Sequence, residues 1–223
     1  MSYRLKLLAL LVSAVAFLIF LNVGFSALNT LSQLDTVEAA RDQWQRPLDV
    51  LQALDPRAGD TVVDLGCGSG YFTLKLSAAV GNRGRVIAED IRWLPLIFLR
   101  ARTILRKELN VSLIHGQPTN PHLPVNGVNA VLILNTYHEL SDPHAIVAQV
   151  HRALVSGGRL VVVDREPNPA NVGITENGEH EISASSVETD LRQMGFEIVG
   201  RQVRFVDSDP NRETWWLLVA RKP

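Results

Sequence analysis

The sequence predicts an α/β fold, a doubly wound and mostly parallel sheet of seven strands with an antiparallel last strand, preceded by an N-terminal transmembrane helix. From Thr61 onward, short apolar and β-branched runs alternate with segments of helical spacing, which is typical of a parallel sheet covered on both faces. The last two strand-like runs are joined by a turn-rich loop without a helix, so we expect them to pair antiparallel. The stretch Leu7–Leu34 carries no charged residue.

The N-terminal segment is predicted to be a membrane anchor over residues 1–28. Leu7–Leu28 is almost wholly apolar, and roughly 20 such residues are needed to cross the hydrocarbon core as a helix. A cleaved signal peptide is the alternative, because Arg4 and Lys6 supply the positive start that both share. The run is longer than the usual apolar core of a signal peptide, of about 7–15 residues, which favours the anchor. The positive-inside rule then favours a cytoplasmic N-terminus and a domain on the other side of the membrane, with the inverted orientation as the alternative.

Residues 29–45 are predicted as a helical, amphipathic connector, and residues 46–223 as one folded domain. Pro47 suits the first turn of a short helix over Leu48–Leu54. The predicted strands are Thr61–Leu65, Arg85–Asp90, Val111–His115, Val128–Leu134, Arg159–Asp164, Phe196–Val206 and Glu213–Arg221. The predicted helices between them are Tyr71–Val80, Leu94–Glu108, Pro143–Leu154 and Val187–Met194. Glu166–Ala184 has no clear periodicity and is predicted to be a long loop of the kind that often covers a substrate.

Composition excludes several kinds of partner. The formal net charge is -1 and no block of Lys and Arg is present, so no nucleic-acid partner is expected. A single cysteine excludes an internal disulfide and a cysteine-rich zinc site. His138, His144 and His151 are not spaced to share one helical face, so no metal site is predicted. The sequence makes no prediction about oligomeric state.

The strongest motif is a buried strand that runs into Gly66-x-Gly68-x-Gly70 and then a helix. Glycines let the backbone turn tightly and let a ligand approach it closely, and the N–H groups that begin the helix favour a polar or anionic group. A dinucleotide-binding turn has the spacing G-x-G-x-x-G, which would require glycine at Tyr71. Asp64 inside the strand also differs from that pattern, so an NAD-dependent reductase is disfavoured.

This segment resembles motif I of the class I S-adenosylmethionine (SAM)-dependent methyltransferases, which have a Rossmann-like fold. The resemblance covers roughly Arg41 to the C-terminus and extends to four further segments in the family's order. These segments are Trp44–Pro47, Arg85–Ile91, Asn135–Leu140 and Leu154–Asp164. The resemblance therefore implies SAM as the cofactor.

The resemblance assigns the glycine turn to the methionine part of SAM. Gly66, Gly68 and Gly70 would lie along it, and Asp64 would orient its amino group directly or through water. Cys67 is included among the cofactor-binding residues as a small side chain packed in the turn, and not as a nucleophile, because no activating base can be placed beside it.

The resemblance places the nucleoside at the end of the second strand. Asp90 would accept hydrogen bonds from both ribose hydroxyls, with Glu89 as its rival if the strand ends one residue sooner. Ile91 would lie against the adenine. Gln117 stands where many members have an aspartate, and its carbonyl can still accept from the adenine amino group, without charge. Asn135 would lie near the reactive methyl group.

The expected activity is methyl transfer to a small-molecule acceptor, and the anchor favours an acceptor that dissolves in the membrane. His138, Glu139 and Tyr137 are the candidate catalytic residues, as helpers that deprotonate the acceptor. The alternative for the first two is structural: His138 packs at the strand end and Glu139 caps the helix near Pro143. A different class of function is a non-catalytic, methyltransferase-like binding module at the membrane, which Gln117 and the predicted orientation favour.

Overall fold

The structure, a computed structural model, describes residues 3–167, 182–207 and 209–223, without the side chains of residues 3–11, 20, 23, 27 and 28. Most of the predicted loop Glu166–Ala184 and part of the predicted anchor therefore lie outside the described residues. The chain divides into two compact units, Met1–Gln43 and Trp44–Pro223. Each unit is described by itself.

The first unit is one continuous helix, α1 (Tyr3–Asp42). The predicted connector, residues 29–45, is thus largely a continuation of the apolar helix rather than a separate element. Within the described residues, Val12–Asp42 is long and apolar enough to cross a membrane. Its large apolar side chains, such as Phe17 and Phe25, are exposed, as expected for a helix whose surroundings are not protein.

The second unit is built on a seven-stranded sheet in the order β3-β2-β1-β4-β5-β7-β6. The strands are β1 (Thr61–Leu65), β2 (Arg85–Asp90), β3 (Val111–His115), β4 (Val128–Leu134), β5 (Leu154–Arg165), β6 (Glu197–Val206) and β7 (Trp215–Arg221). β1 pairs in parallel with β2 and β4, and β7 pairs antiparallel with both β5 and β6. The predicted fold class, including the antiparallel last strand, is confirmed.

Five helices cover the two faces of this sheet. They are α2 (Pro47–Leu54), α3 (Tyr71–Val80), α4 (Trp93–Arg106), α5 (Pro143–Ala153) and α6 (Ala184–Gln193). Side chains alternate across a strand, so Val62 packs in one core with α2, α3 and α4, whereas Val63 packs in the other with α5 and α6. Both faces of the sheet are therefore buried, which explains its continuous apolar strands.

The start of β5 differs from the prediction. β5 was expected to begin at Arg159, after a Gly157-Gly158 turn, but it begins at Leu154, and α5 ends at Ala153. Leu154 pairs with Val128 before a register shift, and Gly157 adopts a φ of +78° and donates its N–H to the Lys222 carbonyl. The glycines are therefore an irregularity inside a strand held from both sides, and not its boundary.

The sheet order brings the carboxyl ends of β2, β1, β4 and β5 side by side. The glycine turn follows β1, the acidic pair ends β2, and a single 3-10 turn, Tyr137–Glu139, follows β4. The strands that follow β1 are added first on one side of it, as β2 and β3, and then on the other, as β4 and β5. Ligands of open α/β sheets bind where the strand order reverses in this way. The fold thus collects the predicted site residues at one edge.

Candidate active site

The glycine turn is fixed at its two ends and open in the middle. Gly66 (φ +75°) and Gly70 (φ +96°) leave no room for a side chain, because a Cβ would collide with Thr136 and Leu99 respectively. Gly68 (φ +54°) has no neighbouring heavy atom within 4 Å of the position of a Cβ. The open space lies at the middle glycine, where a ligand can approach the backbone.

Two buried side chains hold this turn from the adjoining helices. Thr73 of α3 donates its hydroxyl to Asp64 Oδ2 at 2.6 Å, which ties β1 to the helix that follows the turn. Arg102 of α4 is almost fully buried and donates from Nη1 to the Ser69 carbonyl at 2.7 Å. Arg102 was not predicted as a site residue, and an arginine at the inner face of an amphipathic helix was its only signal in the sequence.

Glu89 and Asp90 are both buried but have different surroundings. Asp90 accepts from the Gly68 N–H at 2.9 Å, from the Arg92 N–H at 2.8 Å and from Arg92 Nε at 3.2 Å. The hydrogen bond with Asp90 raises the pKa of Arg92. The Glu89 carboxyl group fills the space where Gly116 would carry a Cβ. Burial, and then the charge of Asp90, raises the pKa of Glu89 to about 7.

Cys67 is buried in the turn, as expected from the sequence. Burial raises the pKa of its thiol, and the nearby carboxylates of Asp64, Asp90 and Glu89 raise it further. The thiolate is the nucleophilic form of cysteine, so Cys67 remains a neutral packing group.

The ends of β2 and β3 form a partly aromatic rim. Trp93 stacks on His115 with ring centroids 4.0 Å apart and an interplanar angle of 14°. His115 Nε2 donates to the Ile91 carbonyl at 2.9 Å, and the Ile91 side chain is exposed. Gln117 is exposed next to this rim and pairs through its backbone with Asn120. Trp93 and His115 were not among the predicted site residues.

Asn135 follows β4 in a left-handed conformation (φ 53°) and donates its N–H to the Val163 carbonyl at 2.8 Å. Its side-chain Oδ1 is buried and accepts no hydrogen bond from any residue that the structure describes. A buried acceptor without a donor costs free energy. Asn135 therefore offers an acceptor atom that a bound ligand can satisfy.

His138 and Asp164 form a buried pair across the ends of β4 and β5. His138 Nδ1 lies 2.8 Å from Asp164 Oδ1, and the His138 N–H donates to Asp164 Oδ2 at 3.1 Å. Since a carboxylate only accepts, Nδ1 carries the proton and the opposite nitrogen is left to accept. Arg165 Nη2 lies 3.1 Å from this second nitrogen, Nε2, and Arg165 Nη1 pairs with Glu213 at 3.0 Å.

The other two catalytic candidates are placed differently from His138. Glu139 is exposed, and its Oε1 lies 3.8 Å from His138 Nε2. Tyr137 is buried in the core that contains α5 and α6, and its hydroxyl donates to Asp190 at 3.4 Å. Burial, and then Asp190, raises the pKa of the Tyr137 hydroxyl. The structure brings Glu139 to His138 and leaves Tyr137 in the core, and Asp164, Arg165 and Glu213 join the cluster although the sequence did not single them out.

Comparisons with known proteins agree with this geometry. A family model described as "Methyltransferase domain" matches residues 62–158. A solved SAM-dependent methyltransferase from Aquifex aeolicus is 21% identical and superposes with a TM-score of 0.70. The match covers 85% of this chain and 97% of the Aquifex chain. Residues 62–158 thus match a methyltransferase domain, and the chain shares the fold of solved SAM-dependent methyltransferases. Phosphoethanolamine N-methyltransferase 2 of Haemonchus contortus, solved in complex with SAM, shares the fold of this methyltransferase domain, with a TM-score of 0.67 and 14% identity over 81% of this chain and 53% of that one.

A curated relative of the methyltransferase domain is the demethylmenaquinone methyltransferase of Shouchella clausii. It is 30% identical over 121 residues, which are 54% of this chain and 51% of the relative. The chain thus spans about half the length of that curated relative.

SAM is the cofactor of this class of domain, and the residues present fit it. The space at Gly68 admits a ligand against the backbone. The Asn135 Oδ1 atom, which has no donor among the described residues, offers an acceptor at the end of the neighbouring strand β4. The Asp90 carboxylate lies at the same edge, at the end of β2. These three features are spaced over the ends of β1, β4 and β2, as an extended ligand requires.

Proposed function

We propose that this protein transfers a methyl group from SAM to a small-molecule acceptor, with His138 as the general base. The observation that supports the base most directly is the buried His138–Asp164 pair, at the same sheet edge as the glycine turn. A methyltransferase needs the two reactants aligned and water excluded more than it needs a catalytic triad. When bound, SAM supplies a methyl group on a sulfonium that is already a good leaving group.

Cofactor binding is assigned to the turn and to the acidic pair. The Asp90 carboxylate holds the ribose. The exposed Arg92 side chain, which pairs with this carboxylate, moves toward solvent when the ribose binds. Glu89 remains the rival for the ribose. Gly68 admits the methionine part, and Asn135 accepts a hydrogen bond from a ligand donor. Ile91 and Gln117 flank the adenine.

His138 removes the proton from the acceptor. Asp164 holds the Nδ1–H, so the lone pair on Nε2 is available once the acceptor hydroxyl replaces Arg165 as its partner. The proton then moves from the acceptor oxygen to Nε2, and the Arg165 guanidinium is in place to stabilise the negative oxygen. A positioned base contributes roughly 10²–10⁴-fold to a rate. Glu139, exposed near Nε2, is the acceptor's second polar contact, and Tyr137 is given no part.

The acceptor is proposed to be a membrane-soluble ring compound with a weakly acidic hydroxyl. The relative named as a demethylmenaquinone methyltransferase acts, by its name, on a quinone, and the reduced form of a quinone carries such hydroxyls. The candidate span Val12–Asp42 of α1 supports a membrane location. The proposed single-pass anchor is residues 1–28, with the domain on the side opposite the cytoplasm by its charge pattern.

Calorimetric titration of the full chain in detergent tests the cofactor site, with SAM, S-adenosylhomocysteine and NAD as ligands. We expect SAM and S-adenosylhomocysteine to bind with micromolar affinity. Asp90→Asn should lower this affinity greatly, whereas Glu89→Gln and the exposed control Asp207→Asn should change it little. If Glu89→Gln lowers the affinity for SAM more than Asp90→Asn does, Glu89 and not Asp90 holds the ribose. If the folded chain binds neither SAM nor S-adenosylhomocysteine, the methyltransferase proposal is contradicted and the non-catalytic binding module is supported.

Turnover with a reduced quinone in detergent tests the base. We expect His138→Ala to lower kcat at least about a hundredfold and to leave SAM affinity unchanged, whereas the exposed His144→Ala changes neither. Unchanged turnover removes His138 from the role. Equal turnover of a fully water-soluble phenol by a chain that lacks residues 1–43 contradicts the membrane-soluble acceptor.

A further inference from the structure

The outer face of α4 is apolar although it is exposed. Its buried face carries Leu96 and Leu99, but Trp93, Leu94, Ile97, Ile104 and Leu105 are between 61% and 64% exposed. Spacings of three, four and seven residues place these side chains on one side of the helix. We call them the α4 surface.

The other exposed apolar side chains of the methyltransferase domain are scattered. Among the described residues they are Leu48 on α2, Ile91 before α4 and Leu109 after it, Val125 between β3 and β4, and Val199 and Val203 on β6. Single exposed apolar side chains are ordinary, whereas a contiguous apolar patch marks a binding surface. The α4 surface therefore requires an occupant.

Charge indicates which occupant fits. Arg100 and Lys107 are exposed and, seven residues apart, lie along one border of the α4 surface, and Arg92 and Arg106 stand at its two ends. From Ile91 to Lys107 the sequence contains no acidic residue. An apolar face bordered by cations, with a tryptophan among the apolar residues, has the composition of helices that lie in the headgroup region of anionic membranes.

We propose that the α4 surface docks on an anionic phospholipid bilayer. The apolar side chains enter the boundary between headgroups and acyl chains, and Arg100 and Lys107 contact the lipid phosphates. The candidate membrane span of α1 supports a bilayer as the surface that this chain meets. Docking depends on the outer face of α4 and does not require the proposed reaction.

The test places a polarity-sensitive fluorophore on the full chain, one copy in each lipid nanodisc. The fluorophore is attached to Ile97→Cys, with Leu48→Cys and Val125→Cys as matched controls, since both control positions are at least 70% exposed. The parent chain is the labelling blank, because Cys67 is buried. The nanodiscs contain phosphatidylcholine alone or mixed equally with phosphatidylglycerol, and brominated acyl chains serve as the quencher.

Docking predicts that, in discs with phosphatidylglycerol, the label at 97 shifts to the blue and is quenched at least about twofold more than either control. Reversing the border charges with Arg100→Glu and Lys107→Glu should return the label at 97 to the control value, because each cation near an anionic surface strengthens binding roughly fivefold. The matched pair Arg57→Glu and Arg204→Glu should leave it quenched.

Two results overturn the proposal. One is a label at 97 that matches the controls in every lipid while SAM binding is normal, and this outcome leaves the methyl-transfer proposal standing. The other is a label at 97 whose emission, in detergent without lipid, shifts further to the blue as the protein concentration rises. That result assigns the α4 surface to a second copy of the chain.

Discussion

At the scale of single residues, the two neighbouring acids at the end of β2 differ in how the fold treats their charge. Asp90 has amide and guanidinium donors around its carboxylate. Glu89 is buried beside that negative charge, and its pKa rises to about 7. The fold therefore favours the protonated form of Glu89.

This difference predicts how stability depends on pH. Between a pH of about 4.5, where the unfolded Glu89 titrates, and about 7, the folded chain holds a proton that the unfolded chain has released. The free energy of unfolding then falls as pH rises through that range, by up to about 3 kcal/mol at 1.36 kcal/mol per pKa unit. Urea unfolding at a series of pH values should show this fall, and Glu89→Gln should flatten it. If Glu89→Gln keeps the parent's dependence of the free energy of unfolding on pH, the dependence does not come from Glu89. The exposed Glu197→Gln is the control.

Two glycines of the same turn should respond in opposite ways to alanine. Gly66→Ala meets Thr136, so we expect a loss of stability well above the roughly 1–2 kcal/mol of a left-handed alanine. Gly68→Ala meets open space, so only that smaller loss is expected, but its methyl group enters the cofactor's space and weakens SAM binding. Thermal unfolding and calorimetry separate the two effects. Normal SAM affinity in Gly68→Ala would place the cofactor elsewhere.

Asp164 is expected to set the tautomer of His138. In Asp164→Asn, a side-chain amide can donate to Nδ1, and the proton then moves to Nε2, where it blocks the base. Nitrogen NMR of the His138 ring reports the proton's position without any acceptor present. We expect Nδ1–H in the parent and in Asp207→Asn, and Nε2–H in Asp164→Asn. The same tautomer in all three variants would remove Asp164 from the positioning role.

At the scale of elements, α4 supports the glycine turn through one buried guanidinium. Arg102→Met keeps the length of the side chain but loses the hydrogen bond to the Ser69 carbonyl, and a buried acceptor left unpaired costs about 1–3 kcal/mol. We expect weaker SAM binding and lower stability. The exposed Arg100→Met is the control for changing an arginine on the same helix. Equal effects of the two changes would show that the contact with Ser69 contributes nothing.

The elements also show which parts of the structure can be predicted from sequence. The bounds of β1, β2, β3, β4 and α3 agree with the prediction, because apolar β-branched runs and glycine stops act locally. The early start of β5 could not be predicted, since Gly157 and Gly158 resemble a turn until strand pairing on both sides is known. Asp164 was not predicted as a site residue for a related reason. It ends a predicted strand, and only the pairing of β4 with β5 brings it to His138.

At the scale of the whole molecule, the residues from Trp44 onward contain the complete sheet and both cores. A chain that begins at Trp44 should therefore unfold cooperatively, with near-ultraviolet dichroism and a thermal midpoint close to those of the full chain in detergent. A SAM-dependent rise in the midpoint should also be retained, because every assigned cofactor residue lies in this part. Loss of cooperative unfolding would show that α1 is part of the fold.

The outermost strand, β6, has a consequence if α1 anchors the chain in a membrane as proposed. Confinement in two dimensions raises encounter rates between copies, and an unpaired sheet edge is a template for cross-chain pairing. β6 is bulged at two places along its pairing with β7 and carries the exposed Arg201 and Arg204. Bulges and like charges both oppose edge-to-edge association, so β6 is a poor template for pairing between crowded copies of the chain.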